Sequence, residues 1–160
     1  MRRFLVALVC LGLCLSLCAC GSSYTAVPEL KLSWGMTREE ILNAGEIQME
    51  EIEILDDRYL RSKSGQKLPK VNGLEIHYFT CHFDKNGALV NVCVKFTSED
   101  SSVVYDALKS KYGEPTVDGH FSCSWRLDDT IIIDSFNSPY NGCQGLVSYY
   151  EHDYLMGMVR

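Results

Sequence analysis

Within HYFTCHF, residues 77–83, two imidazoles and a thiol lie close enough in sequence to form either a thiol–imidazole pair for nucleophilic chemistry or part of a metal site. Side chains alternate across a strand, so His77 and Cys81 share one phase while His82 takes the other, and one ion cannot easily collect all three. The structural alternative is that Cys81 is a small apolar core residue. His120 and His152 have no ligand spacing to each other or to this group and read as surface residues. DKNGA, residues 84–88, begins like a calcium loop with Asp84 and Asn86 at its first and third places. Ala88 fails the fifth place, and no Glu closes the loop at the twelfth. There is no G-x-S-x-G elbow and no Gly-rich phosphate loop. No catalytic residue, metal site or cofactor is assigned, and the chain reads as a non-enzyme. A secreted metal-binding protein or enzyme using His77 with Cys81, or His82, is the alternative.

The elements that must position these residues follow from periodicity. In SWGMTREEILNAG, residues 33–45, Thr37 and Glu40 form a capping box, Met36 and Ile41 occupy the hydrophobic-staple positions, and Gly45 ends the turn. This predicts a short helix from Arg38 to Ala44, with Trp34 beneath its entry. Residues 46–55 alternate Ile47 and Met49 on one phase and Ile52 and Ile54 on the other, which predicts a strand with a bulge near Glu50 and Glu51. Residues 56–73 are polar, with Gly65, Pro69 and an Asn72-Gly73 turn, and read as a loop or weak edge strand.

Residues 74–96 are two β-rich runs around Asn86-Gly87. A two-residue turn there pairs Phe83 with Val90, Cys81 with Val92 and Phe79 with Val94, an apolar face from which Cys93 is excluded. Cys81 and Cys93 then point to opposite faces and do not bridge; a bulge after Gly87 is the alternative, which shifts the register and voids that inference. Residues 98–115 carry a helical stripe of Val104, Ala107, Leu108 and Tyr112, stopped by Gly113 and Pro115. A hairpin over residues 121–136 turns at Asp128-Asp129 with Phe121, Cys123, Trp125 and Leu127 inward. A last strand covers residues 146–151, and the rest is a mixed tail.

The N-terminus fixes an expected address. Arg2 and Arg3 precede an apolar run, residues 4–17, too short for a stable span, so residues 1–19 read as a secretory signal. Its end, LSLCACGSS (residues 15–23), resembles the lipobox of bacterial lipoproteins, with Leu17, Cys18 and Ala19 before Cys20. That resemblance implies cleavage after Ala19 and a diacylglyceryl group on the Cys20 thiol, with residues 20–30 as lipidated Cys and flexible tether. An ordinary signal peptide leaving a free thiol is the alternative. The implied location is the cell membrane, lipid-anchored and facing outside the cytoplasm.

Removing residues 1–19 takes away two of the 15 basic residues and none of the acidic ones, leaving 13 Lys and Arg against 21 Asp and Glu. So acidic a body argues against nucleic acid as a partner and against a polybasic grip on anionic lipid. Cys81, Cys93, Cys123 and Cys143 remain; outside the cytoplasm they permit two disulfides in three pairings, without requiring them. Tyr140, Tyr149, Tyr150 and Tyr154 cluster late. Of these, Tyr149, Tyr150 and Tyr154 are the candidate protein interface, because exposed tyrosines bury area with little rotamer loss; covering the sheet surface is the alternative role.

WGMTREEI, residues 34–41, followed by YFTCHFDKNGAL, residues 78–89, resembles small secreted domains of the SmpA/OmlA (BamE-like) and β-lactamase-inhibitor-protein-like group. The resemblance implies a binding or envelope-assembly module rather than a catalyst. The expected architecture is one α+β domain over residues 31–160. In it, two short helices pack on one face of an antiparallel sheet of five to six strands, and a helix-then-strands motif occurs twice. The expected partners are the membrane, through Cys20, and a protein.

Overall fold

The computed structural model describes residues 25–54, 57–119, 122–134 and 145–159. The body begins earlier than the sequence implies. Strand β1 (Thr25–Val27), a 3-10 turn (Pro28–Leu30) and β2 (Leu32–Ser33) form a two-stranded sheet. Ala26, Val27 and Leu30 are buried in the core, so residues 25–30 are folded structure and not tether.

Helix α1 (Arg38–Ala44) starts as its residues require. Thr37 Oγ1 accepts the Glu40 N–H at 3.3 Å, Glu40 Oε2 accepts the Thr37 N–H at 2.7 Å, and Gly45 closes the end at φ 68°. Four strands follow: β3 (Met49–Ile54), β4 (Asp57–Ser62), β5 (Ile76–Phe83) and β6 (Leu89–Phe96). Helix α2 (Ser101–Tyr112) is capped by the Asp100 carboxylate on the Ser102 N–H at 2.9 Å and buries Val104 and Leu108. Strands β7 (Val117–Asp118), β8 (Cys123–Arg126), β9 (Thr130–Asp134) and β10 (Leu146–Glu151) come next, and helix α3 (His152–Met158) closes the chain.

The sheet is wider than expected. Its order is β3-β4-β5-β6-β10-β9-β8-β7, eight strands rather than five or six, with every adjacent pair antiparallel. It consists of two four-strand meanders, one after each of the first two helices, joined where β10 pairs β6. There are three α-helices among the described residues instead of two, and α3 occupies what the sequence reads as a mixed tail.

The expectation fails most in the segment read as loop or weak edge strand, which supplies an interior strand. β4 lies between β3 and β5, with Leu60 fully buried opposite Cys81. Its alternation, Leu60 and Ser62 in and Tyr59 and Arg61 out, is masked in sequence by the charged residues around it. With β4 as partner, β3 pairs from Met49↔Ser62 to Ile54↔Asp57 without a register shift, so the bulge expected at Glu50 and Glu51 is absent.

The central hairpin keeps its predicted register by a different turn. Phe79 pairs Val94 and Cys81 pairs Val92, but Phe83 pairs Leu89, with a shift between His82 and Phe83. The cause is Asp84, whose Oδ1 accepts the N–H groups of Asn86 and Ala88 at 2.9 Å each, building a longer turn that Gly87 completes at φ 83°. A bulge at Leu89 and Val90, both buried, then restores the pairing.

The core lies on one face of the sheet. Leu60, Cys81, Val92, Val94, Tyr149, Ile132 and Trp125, which share the inward phase across successive strands, are at most 1% exposed, and α1, α2 and the N-terminal sheet pack against them. An aromatic such as Trp125 removes roughly 200 Å² from water, about 5 kcal/mol at 25 cal/mol/Å². Each indole also has a partner: Trp125 Nε1 donates to Gly113 O at 2.9 Å, and Trp34 Nε1, from the turn before α1, donates to Thr130 Oγ1 at 3.0 Å.

One polar group ties this layer together. Asn72 sits at φ 52° in the turn that brings Val71 opposite Leu74. Its Nδ2 donates to the Tyr149 hydroxyl at 2.8 Å. Its Oδ1 accepts from Lys111 Nζ at 2.8 Å and from the Tyr112 hydroxyl at 3.3 Å. Its N–H donates to Glu29 Oε1 at 3.2 Å. We expect Asn72→Gly, which keeps the left-handed backbone, to lower unfolding free energy by about 2 kcal/mol through the lost side-chain bonds alone. Asn72→Ala should lose about 1 kcal/mol more, since a Cβ disfavours that conformation. Urea denaturation of both variants checks the order.

Candidate functional site

Alternation that fills one face of the sheet leaves another set of side chains on the opposite face. From β4, Tyr59 and Arg61 point there; from β5, Tyr78, Thr80 and His82; from β6, Cys93 and Lys95. The second meander adds Ser148 and Tyr150 of β10, Ile133 of β9 and Arg126 of β8. All of these are half-buried or exposed. Among the described residues only α3 lies on this face, and only at one end, where Arg126 reaches His152 Nε2 and His82 meets the Tyr154 ring edge-on at 6.4 Å. Asn91 and Ile131 are the buried residues of this phase, and they belong to that end.

The open face is ordered by its aromatics. His82 stacks on Tyr59 with ring centroids 4.8 Å apart, and the Arg61 guanidinium lies 4.2 Å above the Tyr78 ring. Beyond His82 the face runs into a concavity of about 750 Å³ lined by Arg38, Phe83, Asp84, Lys85 and Tyr154, with Arg38 5.2 Å above the Phe83 ring.

The residues with candidate chemistry are kept apart. His77 is the extra residue of a bulge between Ile76 and Tyr78 and is exposed, Cys81 is fully buried on the core face, and His82 is on the open face. Burial pushes the Cys81 thiol far above its ordinary range, and Cys93 is also raised by burial, partly offset by its hydrogen bonds to Ser148 and Asn91. Cys123 is pushed up to about 11 by burial and by donating to Asp118 Oδ1 at 3.0 Å. These three thiols are free and protonated at neutral pH, which makes them poor nucleophiles. Among the described residues no group of three or more His, Cys, Asp or Glu is placed to hold a metal ion. Cys20, His120, Phe121, Tyr140 and Cys143 lie outside the described residues.

The tyrosine candidates divide. Tyr149 is 1% exposed, its hydroxyl bonded to Asn72 within the core, so it is withdrawn from the interface: pairing with Val92 and Ile132 turns it inward. Tyr150 and Tyr154 are half-buried on the open face. Tyr59 and Tyr78 belong beside them and were missed, Tyr59 because β4 was missed.

Asp134 was also missed. It is 1% exposed on the core face of β9, opposite Cys123 of β8 and Val147 of β10, with Asp118 beyond Cys123, and among the described residues neither carboxylate oxygen has a hydrogen-bond partner. Burial pushes its carboxyl up to about 7. A folded-state value above the unfolded one means that the native state binds the proton more tightly. The penalty for ionising it is absent below the unfolded value near 4, grows as pH rises, and is complete above 7. Glu29, in which burial is outweighed only by the sum of the Lys111 ammonium and the backbone N–H groups of Glu29 and Asn72, and Asp84, held low by the Ala88 N–H, act in the opposite sense only at lower pH. Asp134→Asn should therefore be more stable than the parent at pH 8, by roughly 2 kcal/mol or more, and nearly equal at pH 4.5. Thermal or urea unfolding at the two pH values measures this.

Comparison with models of known protein families, with curated proteins and with solved structures finds no match to this chain, so the fold and the open face stand on their own geometry.

Proposed function

We propose that this chain is a membrane-anchored extracytoplasmic lipoprotein acting as a protein-binding or envelope-assembly module, with the open face of the sheet as its docking surface. The observation that carries this reading is the asymmetry of the sheet. One face is closed by two helices and the N-terminal sheet, while the other presents Tyr59, Tyr78, Tyr150 and Tyr154 half-exposed. Rings already held by stacking lose little freedom on contact and bury large areas, which is what interface anchors do.

The anchor reading rests on residues 1–23 and gains a consequence from the fold. No helix among the described residues is long and apolar enough to cross a membrane, so attachment in this reading depends on lipid at Cys20. Only residues 21–24 separate that cysteine from β1, and at roughly 3.5 Å per residue they reach about 15 Å. The body is thereby kept against the bilayer surface, where a membrane-associated partner would meet it.

The expected outcomes are separate for anchor and surface. Mass spectrometry of membrane-extracted protein should find Cys20 as the N-terminal residue with a diacylglyceryl group, and Cys20→Ser should leave the membrane fraction. A photo-cross-linking residue at Thr80 or Ser148 should give one discrete protein adduct in cells, and one at Asp106 on α2 should give none. An unmodified Cys20 thiol sinks the anchor, and adducts indifferent to position sink the docking surface.

A further inference from the structure

The C-terminal helix is held to the sheet by very little. α3 has seven residues, none of them buried, and Gly157 lies within it. Isolated helices shorter than about 12 residues are marginal in water, so α3 depends on its tertiary ties. The Glu151 carboxylate accepts the Asp153 and Tyr154 N–H groups at 3.2 and 2.6 Å, and Asp129 O accepts the His152 N–H at 3.0 Å. These bonds fix where the helix starts. Two side-chain contacts then lay it on the open face: His152 against Arg126 of β8, and Tyr154 edge-on to His82 of β5.

The first contact dictates a protonation state. Arg126 Nη2 and Nε both approach His152 Nε2, at 2.8 and 3.2 Å, and a guanidinium nitrogen can only donate. His152 Nε2 is therefore an unprotonated acceptor. The other ring nitrogen, Nδ1, donates to Asp153 Oδ1 at 3.2 Å. The imidazole is thus the neutral Nδ1–H tautomer, and a proton added at Nε2 sets N–H against N–H. The His152 side chain is 21% exposed, so water can deliver that proton.

The charges around His152 favour the protonated ring, with one exception. Asp128 and Asp129 in the β8–β9 turn, Glu151 of β10 and Asp153 line a hollow of about 210 Å³ with it, and Arg126 is the cation that faces it. The carboxylates accommodate an added charge, while Arg126 loses its acceptor and meets a like charge. Asp153, the neighbour of His152 on α3, stays beside the ring whether or not Arg126 is attached. The proton therefore binds more tightly once Arg126 has left, and falling pH favours the detached helix.

We infer that α3 is a pH-released latch: Arg126 holds it to the sheet while His152 is neutral, and protonation of His152 frees it, baring the end of the open face where Ile131 and Asn91 are buried. This goes beyond the docking reading and needs no partner to be tested. Imidazoles change charge between about pH 5 and 8, and two other groups respond in that interval. His82 is flanked by Tyr59 and Tyr154, with Arg38, Asp84 and Lys85 around the concavity; protonation there would strengthen its attraction to the Tyr59 ring. Asp134, on the core face of β9, weakens the whole body as pH rises, which is the opposite direction. Loosening of α3 alone on acidification is therefore the signature of His152.

The test uses the full chain purified from membranes in detergent. Imidazole nitrogen shifts of histidine-labelled protein, assigned with His152→Gln, should show His152 as the Nδ1–H tautomer at pH 7.5. Hydrogen exchange read by mass spectrometry, with labelling times scaled for the intrinsic pH dependence, should show protection over residues 153–158 falling roughly fivefold or more between pH 7.5 and 5.5, with no fall over residues 101–112 of α2. His152→Gln, which keeps an uncharged acceptor, should remove that response. Arg126→Met should loosen α3 already at pH 7.5 and leave it insensitive to pH, and His82→Gln should keep the parent response; circular dichroism melting establishes that each variant is folded. An Nε2–H tautomer, equal protection of α3 at the two pH values in the parent, or an Arg126→Met helix as protected as the parent's at pH 7.5 overturns the inference. So does a response that His82→Gln removes and His152→Gln keeps. None of these outcomes bears on the docking surface, which stands or falls by cross-linking from Thr80 and Ser148.

Discussion

The side-chain amide of Asn72 is the point on which the closed half of this molecule turns. It joins Tyr149 of a central strand, Lys111 and Tyr112 at the end of α2 and, through its backbone N–H, Glu29 of the N-terminal turn, four segments far apart in sequence. A tyrosine hydroxyl as deeply buried as that of Tyr149 must find a partner or cost a few kcal/mol. Because Asn72 supplies that partner from a left-handed turn position, loop, helix and sheet are brought into one arrangement, and hydrophobic burial then fills in around it. Glu29 completes the set with Lys111 Nζ at 2.6 Å, beside the buried Ala26, Val27 and Leu30 that draw the N-terminal segment into the fold.

Closing one face so thoroughly has a consequence for the other. Two helices, the N-terminal sheet and the segment around Val71 all lie on the core side, and the eight-stranded sheet is too wide for the short α3 to cover what remains. The exposed side is occupied by aromatic rings stacked on one another or beneath a guanidinium, an arrangement that limits solvent contact without a covering layer. In the proposed reading, such a face is poised for a partner because its side chains are already oriented.

The same division accounts for the lack of assembled chemistry among the described residues. Cys81 and Cys123 are small core residues whose burial suppresses the thiolate, and His77 and His82 are separated from them by a bulge and by the sheet itself. Among the described residues the unpaired buried side-chain oxygens are Glu29 Oε2 and both of Asp134, and the burial of Asp134 makes it a pH-sensitive element of stability.

Residues 33–45 contain a capping box, a staple and a terminal glycine within little more than two turns, so α1 was legible to the residue. The Phe79–Val94 and Cys81–Val92 pairs, the segregation of Cys93 from Cys81 and the last strand were legible for the same reason: alternation over a short span carries its own register. What sequence did not disclose was the number of strands and helices, the burial of residues 25–30, and β4. Polar residues conceal a strand whose inward positions are only Leu60 and Ser62 until Met49 and Cys81 are placed on either side of it. Nor does a period of two say which of Tyr149 and Tyr150 is buried. It states that adjacent residues face apart, and the choice between faces is made only where β6, β9 and Asn72 converge, through contacts between residues too distant in the chain for any local pattern to record.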